Sequence, residues 1–149
     1  MKQKNHIKLK NNFNVTFNGQ PSLKVKPLEP SDTVGISPLN YNFIKAKLVV
    51  KVGDEVKQGQ SLFFDKKDPQ IYFNSPVSGT ITNIVYGPQR RLDLIEIQKK
   101  ELKPLTFSKL SIKDATAVDF KSALLERGLW NGFIECPFYN IPTTNDFFF

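Results

Sequence analysis

From Leu48 to Ile97 the chain sets short apolar runs between polar breaks, at a spacing too short for helices. The apolar residues alternate or run briefly: Leu48, Val50, Val52 and Val56, then Leu62-Phe63-Phe64. Branched and aromatic side chains at that density favour strands. Gly53-Asp54 is a turn pair and Gly59 ends a second polar break, because glycine removes the steric cost of positive φ at such corners. Ser75-Pro-Val-Ser-Gly79-Thr80 closes this first unit, and Gly79 is expected at a third positive-φ corner. The same grammar returns in Ile81, Ile84 and Val85, a Gly87-Pro88 break, and Leu92-Asp-Leu-Ile-Glu-Ile97. Two strand-turn-strand units flanking a long hairpin predict a small, flattened β-barrel or sandwich.

Outside this stretch the pattern is sparser. Residues 7–17 read as two short strands followed by an Asn18-Gly19 turn. Pro21, Pro27, Pro30 and Pro38 exclude a long helix over 20–40 and predict an extended loop with one edge strand. Lys99 to Lys113 is a charged connector. A helix then starts at Thr116, which can cap it, with Asp119 favouring the positive helix N-terminus. Ala117, Phe120, Leu124 and Leu125 fall on one face, and Gly128 ends the helix as a C-cap glycine. The apolar, proline-broken run after Gly128 contains Trp130, Phe133 and Phe138. Thr143 to Phe149 matches no element.

Composition narrows the function classes. The 149 residues make one domain, or one domain with an appendage, and thirteen Phe suit an all-β core. No apolar run is long enough to span a membrane, and the polar start Met1-Lys-Gln-Lys4 is not a signal peptide. Cys136 alone excludes an internal disulfide or a multi-cysteine metal or iron–sulfur site, and fits a reducing cytoplasmic setting. Net charge is +7, which reads as a solvated face; no nucleic-acid motif accompanies it.

Candidate chemistry is thin. His6, the one histidine, lies in a polar segment and reads as solvent-exposed. Cys136 has no neighbouring histidine and reads as a buried, inert thiol. Asp54-Glu55 and Asp65…Asp68 are acids that turn chemistry explains. Arg90-Arg91, after Gly87-Pro88, could grip a carboxylate or phosphate, although a solvated hairpin tip accounts for the pair as well.

Val52-Gly-Asp-Glu-Val-Lys-Gln-Gly-Gln-Ser-Leu62 with Pro76-Val-Ser-Gly-Thr-Ile81 resembles lipoyl and biotinyl carrier domains. Those present a modified lysine midway between the glycines that correspond to Gly59 and Gly79. The midpoint here is Pro69, so Asp68-Pro69 is expected at the hairpin tip. Lys66 and Lys67 fall short of it, and no Met-Lys-Met is present. The resemblance thus implies the barrel-sandwich hybrid fold and argues against covalent lipoate or biotin, with a carrier module on Lys66 or Lys67 as the alternative.

A second resemblance covers nearly the whole chain to about Pro142. Leu62-Phe-Phe-Asp-Lys-Lys-Asp-Pro69, Ser75-Pro-Val-Ser-Gly-Thr-Ile-Thr-Asn-Ile84 leading to Arg91-Leu92, and Leu124-Leu-Glu-Arg-Gly-Leu-Trp130 with Pro137-Phe138 and Pro142 are similar, in this order, to the N-terminal part of the A-type component of the Na⁺-translocating NADH–quinone reductase. The C-type component of the related Rnf electron-transport complex shares the barrel, but normally adds flavin or NADH loops and cysteine clusters. The resemblance implies a peripheral protein on the cytoplasmic side of the bacterial cytoplasmic membrane, with a structural role among sister subunits. It implies no catalytic, cofactor or metal residue in this chain; NADH, flavins, iron–sulfur centres and ubiquinone belong to other subunits or domains. The expected organisation is a barrel-sandwich hybrid over 1–105, a helical linker over 106–142 toward a missing α/β domain, and a disordered tail over 143–149, as in a truncated product. Phe120, Leu124, Trp130, Phe133 and Phe138 are then the expected interface to that domain or to a sister protein of the complex.

Overall fold

The computed structural model describes residues 18–19, 22–27, 29–111 and 113–145. His6 and the strands expected over 7–17 lie outside them. The chain divides into two units, Met1–Pro30 and Ser31–Phe149. In the first, Gly19 has a φ of +103° and Ser22 Oγ accepts from the Lys24 amide at 3.2 Å. Among the described residues, the strands and helices all lie in the second.

Seven short strands follow in order: β1 Thr33–Ile36, β2 Ala46–Leu48, β3 Glu55–Val56, β4 Ser61–Asp65, β5 Tyr72–Asn74, β6 Gly79–Tyr86 and β7 Leu92–Lys99. They form two sheets, in the orders β1-β7-β6-β3 and β2-β4-β5, and every pair is antiparallel. One apolar cluster joins the sheets: Val56, Ile81, Ile95 and Ile97 from one, Leu62, Phe63 and Phe73 from the other. Phe63 stacks on Phe73 at 4.5 Å, and Tyr41 meets the same ring edge-on at 4.6 Å. The fold is the mainly β barrel-sandwich that the pattern predicts, and β1 is the edge strand expected in the proline-rich stretch.

Two backbone details shape the large sheet. Ile81 and Ile84 are three apart, so an ideal strand would point them to opposite faces. The register shifts between Ile81 and Asn83, and this bulge brings both onto the core, opposite Ile97 and Ile95. Gly53 and Gly59 are the expected corners, with φ of +93° and +88°. Gly79 differs from expectation. It is a strand residue between Val56 and Lys99, without positive φ. Its constraint is closeness: a Cβ there would run into the Gln98 carbonyl and the Ile97 side chain.

Helix α1 spans Ala117–Glu126. Thr116 accepts from the Asp119 amide while the Asp119 carboxylate accepts from the Thr116 amide and hydroxyl, which satisfies two otherwise orphan donors. These bonds hold the Asp119 carboxyl below its ordinary pKa. At the other end the Gly128 amide donates to the Leu125 carbonyl and the Leu129 amide to that of Leu124, a Schellman motif with Gly128 at φ +63°. The helix face differs from the sequence reading. Ala123 is buried and Leu124 and Leu125 pack on the core, whereas Ala117 is exposed and Phe120 is 39% exposed. Among the described residues no helix is long and apolar enough to cross a membrane.

The segment after the helix is part of the domain's own core. Trp130 is fully buried, Phe133 packs beside it at 5.4 Å, and the indole N–H donates to the Pro142 carbonyl at 2.9 Å. Asn74 on β5 ties the helix end to the sheet, donating to the Arg127 carbonyl and accepting from Ser61. A Cβ on Gly128 would collide with that amide.

Gly79→Ala should lose about 1–3 kcal/mol in urea titration through overpacking; Gly53→Ala, with open space around it, should lose only about 1–2 kcal/mol from its left-handed backbone. Trp130→Ala should cost roughly 3–5 kcal/mol, and ending the chain at Gly128 should unfold or loosen the barrel, read by amide exchange. Acidification should weaken α1: the Asp119 contribution is complete above the ordinary aspartate pKa and disappears as pH falls through its lowered folded value. Circular dichroism should show this loss in the wild type and little pH dependence there in Asp119→Asn.

Candidate functional site

In carrier-type barrels the informative region is the connection between the central strands, here residues 66–71 between β4 and β5. Asp65, almost buried at the end of β4, opens it by accepting from the Lys45 amide at 2.9 Å and the Lys67 amide at 3.1 Å. Asp68 accepts four bonds. Its carbonyl takes the Ile71 amide, Oδ1 takes the Gln70 amide at 3.3 Å, and Oδ2 takes the Thr144 amide at 2.7 Å and hydroxyl at 2.8 Å. Pro69, next in line, is exposed.

The partner across the tip is the chain's own C-terminal segment. Thr144 is 1% exposed, and its hydroxyl also accepts from Gln70 Nε2 at 3.0 Å. Residue 144 is therefore fixed where the sequence suggested a tail from 143 onward. Backbone pairing cannot signal such a contact, since Asp68 and Thr144 are 76 residues apart. Local turn chemistry explained Asp68 only in part, by the Gln70 amide.

Neither carrier-candidate lysine lies at the tip's apex. Lys67 Nζ donates to the Phe43 carbonyl, and the Lys66 amide donates to the Lys45 carbonyl at 2.8 Å while its side chain is exposed. A groove of about 490 Å³ separates tip and C-terminal segment, lined in part by Phe43, Lys67, Gln70, Asn140 and Ile141.

The expected interface residues separate. Trp130 is core, and Leu124 and Phe133 are half-buried against it, because the indole finds both an apolar cavity and an acceptor within the domain. Phe138 is 71% exposed and has Ile134 and Tyr139 exposed near it in sequence. Cys136 is exposed, contrary to the buried thiol expected, because it lies on the surface turn over 135–140 that the Glu135 and Asn140 backbones close. Among the described residues no cluster of His, Cys, Asp and Glu could hold a metal ion.

Arg90-Arg91 lies at the β6–β7 turn. Gln89 and Arg90 both have positive φ, 56° and 57°, the requirement of a type I′ hairpin turn that Asn-Gly usually meets. Each left-handed non-glycine residue costs about 1–2 kcal/mol. Arg91 Nε donates to Asp93 Oδ1 at 2.9 Å.

Residues 7–100 match a family model described as the NqrA N-terminal barrel-sandwich hybrid domain. The chain is 30% identical over 139 residues to the protein of Pseudomonas aeruginosa named as the A component of the Na(+)-translocating NADH-quinone reductase, covering 91% of this chain and 31% of that protein. Proteins of the same name from Haemophilus influenzae and Vibrio vulnificus are each 32% identical, over 140 and 139 residues, with 92% and 91% of this chain covered. The chain spans about a third of the length of these relatives. The match covers well over half of the chain and agrees with the mainly β fold, and the chain belongs to the NqrA N-terminal barrel-sandwich hybrid domain family.

Proposed function

We propose that this domain serves as a structural and interaction module of a Na⁺-translocating NADH–quinone reductase, peripheral and on the cytoplasmic side, with its redox groups in other subunits or domains. The observation that carries the structural half of this reading is the latched tip. A carrier arm needs an exposed lysine at a free apex. Here the apex carries Asp68, which the Thr144 amide and hydroxyl hold against the body of the domain. Lys67 is engaged with the Phe43 carbonyl as well. The tip is then a fixed contact, and neither Lys66 nor Lys67 carries lipoate or biotin.

The assembly half rests on the family. In the relatives named above, about two thirds of the length lies beyond the matched part, which supplies a neighbour for an exposed apolar edge. Ile134, Phe138 and Tyr139, exposed by 59–71%, form that edge in our reading, with Phe120 on the helix as a further contact. Burying one such side chain contributes roughly 1.5–3 kcal/mol.

Expression of the tagged chain in a bacterium that makes the reductase tests both halves. Intact mass should equal the unmodified sequence, and a lipoyl or biotinyl adduct on Lys66 or Lys67 would reject the fixed tip. Reductase subunits should co-purify with the chain and be lost in the Ile134→Asp, Phe138→Asp variant, whose unfolding midpoint should stay near the parent's. Absence of co-purification from the parent would reject the assembly role.

A further inference from the structure

The Arg90-Arg91 turn lines a cleft whose charged lining residues are all cations. The cleft encloses about 780 Å³ between the connection over 38–46, Lys66 of the tip and the turn over 88–92. Lys45, Lys66, Arg90 and Arg91 line it, and no Asp or Glu does. The neighbouring groove at the tip shows the contrast, since there Lys67 is balanced by Asp65 and Asp68. Four cations line one cleft and one of them, Arg91, is paired with a carboxylate, that of Asp93; the excess positive charge raises the local concentration of anions.

The turn is also built to hold its cations in place. Phe43, Gln89 and Arg90 all line the cleft, and they are three of the four non-glycine residues with positive φ among the described residues. Strained backbone of this kind clusters where side chains must be aimed at a ligand. Arg91 is fixed by Asp93, whose carboxylate sits so close to Gly87 that a Cβ there would collide with it. One nitrogen of Arg91 is thereby used, and the remaining guanidinium donors are left for another acceptor. Phe43, 67% exposed, adds an apolar rim.

We propose that this cleft is a binding site for a phosphate-bearing anion, gripped by Arg90 and Arg91 with Lys45 and Lys66 as flanking charges. Guanidinium forks match phosphate oxygens in pairs, and lysine supplies mobile point charge. The phosphate can come from a soluble di- or triphosphate or from the headgroup of an anionic phospholipid. The site stands on this chain's own residues and is independent of the assembly role proposed above.

The test uses the full chain. Pyrophosphate is titrated by calorimetry at low and high salt, and the chain is sedimented with phosphatidylglycerol or phosphatidylcholine vesicles. The variants are Lys66→Ala, Arg90→Ala in the cleft and Lys51→Ala, Lys57→Ala as an equally charge-reduced control elsewhere. We expect saturable binding that weakens with salt and falls about tenfold or more in the cleft variant, as loss of charge-assisted bonds implies, with little change in the control. Cleft-dependent binding of pyrophosphate without vesicle retention assigns a soluble ligand; cleft-dependent retention on phosphatidylglycerol alone or as well assigns the lipid headgroup. Equal loss in both variants means diffuse charge and overturns the site, as does absence of binding to either probe. Unfolding midpoints for all three chains exclude a folding defect, since the four substituted side chains are exposed.

Discussion

Burial of one indole organises the C-terminal third of this domain. Trp130 is the largest fully buried side chain, and no strand carries it. To reach the core it needs α1 to stop at Gly128 and the chain to reverse immediately, which the Schellman motif provides. Once the ring is in, its N–H must find an acceptor, because an unpaired buried donor costs about 1–3 kcal/mol. Pro142 supplies the carbonyl, and that bond places Thr144 two residues later against Asp68. Tip geometry therefore depends on a side chain from a different part of the chain, through a path of packing and hydrogen bonds that starts at the helix terminus.

Most of the β framework was legible because it is local. Gly53 and Gly59 mark corners by their own backbone needs, the apolar alternation marks strands, and Thr116, Asp119 and Gly128 spell both ends of the helix. What escaped the sequence depends on long-range approach. Gly79 looks like another corner until β7 is placed against it, and the Ile81–Ile84 spacing looks like a broken alternation until the bulge is seen. Trp130 read as an interface residue because an aromatic in a proline-rich stretch carries no local sign of which surface will cover it. The same limit hid Thr144, whose partners at the tip, Asp68 and Gln70, lie more than half the domain away in sequence.

The hairpin tip shows how a few side chains can tie down a connection on a shared scaffold. Carrier-type barrels rely on a hairpin that projects freely. Here the same hairpin has an acid and a proline at its apex, and the added C-terminal segment closes over it. Asn74 plays the corresponding part at the other end of β5, where a single amide joins β4, β5 and the helix terminus. The fold is retained and the freedom is removed.

The Asp68–Thr144 latch has a consequence for biosynthesis. The strands are complete at Lys99, well before Thr144 emerges from the ribosome. A nascent chain of that length holds the described strands but lacks Trp130, so its sheets stay loosely held and its hairpin unlatched until later-made residues complete the core and shut the tip. The interval between these events is a window in which the tip is open to whatever surrounds the ribosome, and a pause in translation after Lys99 would lengthen it.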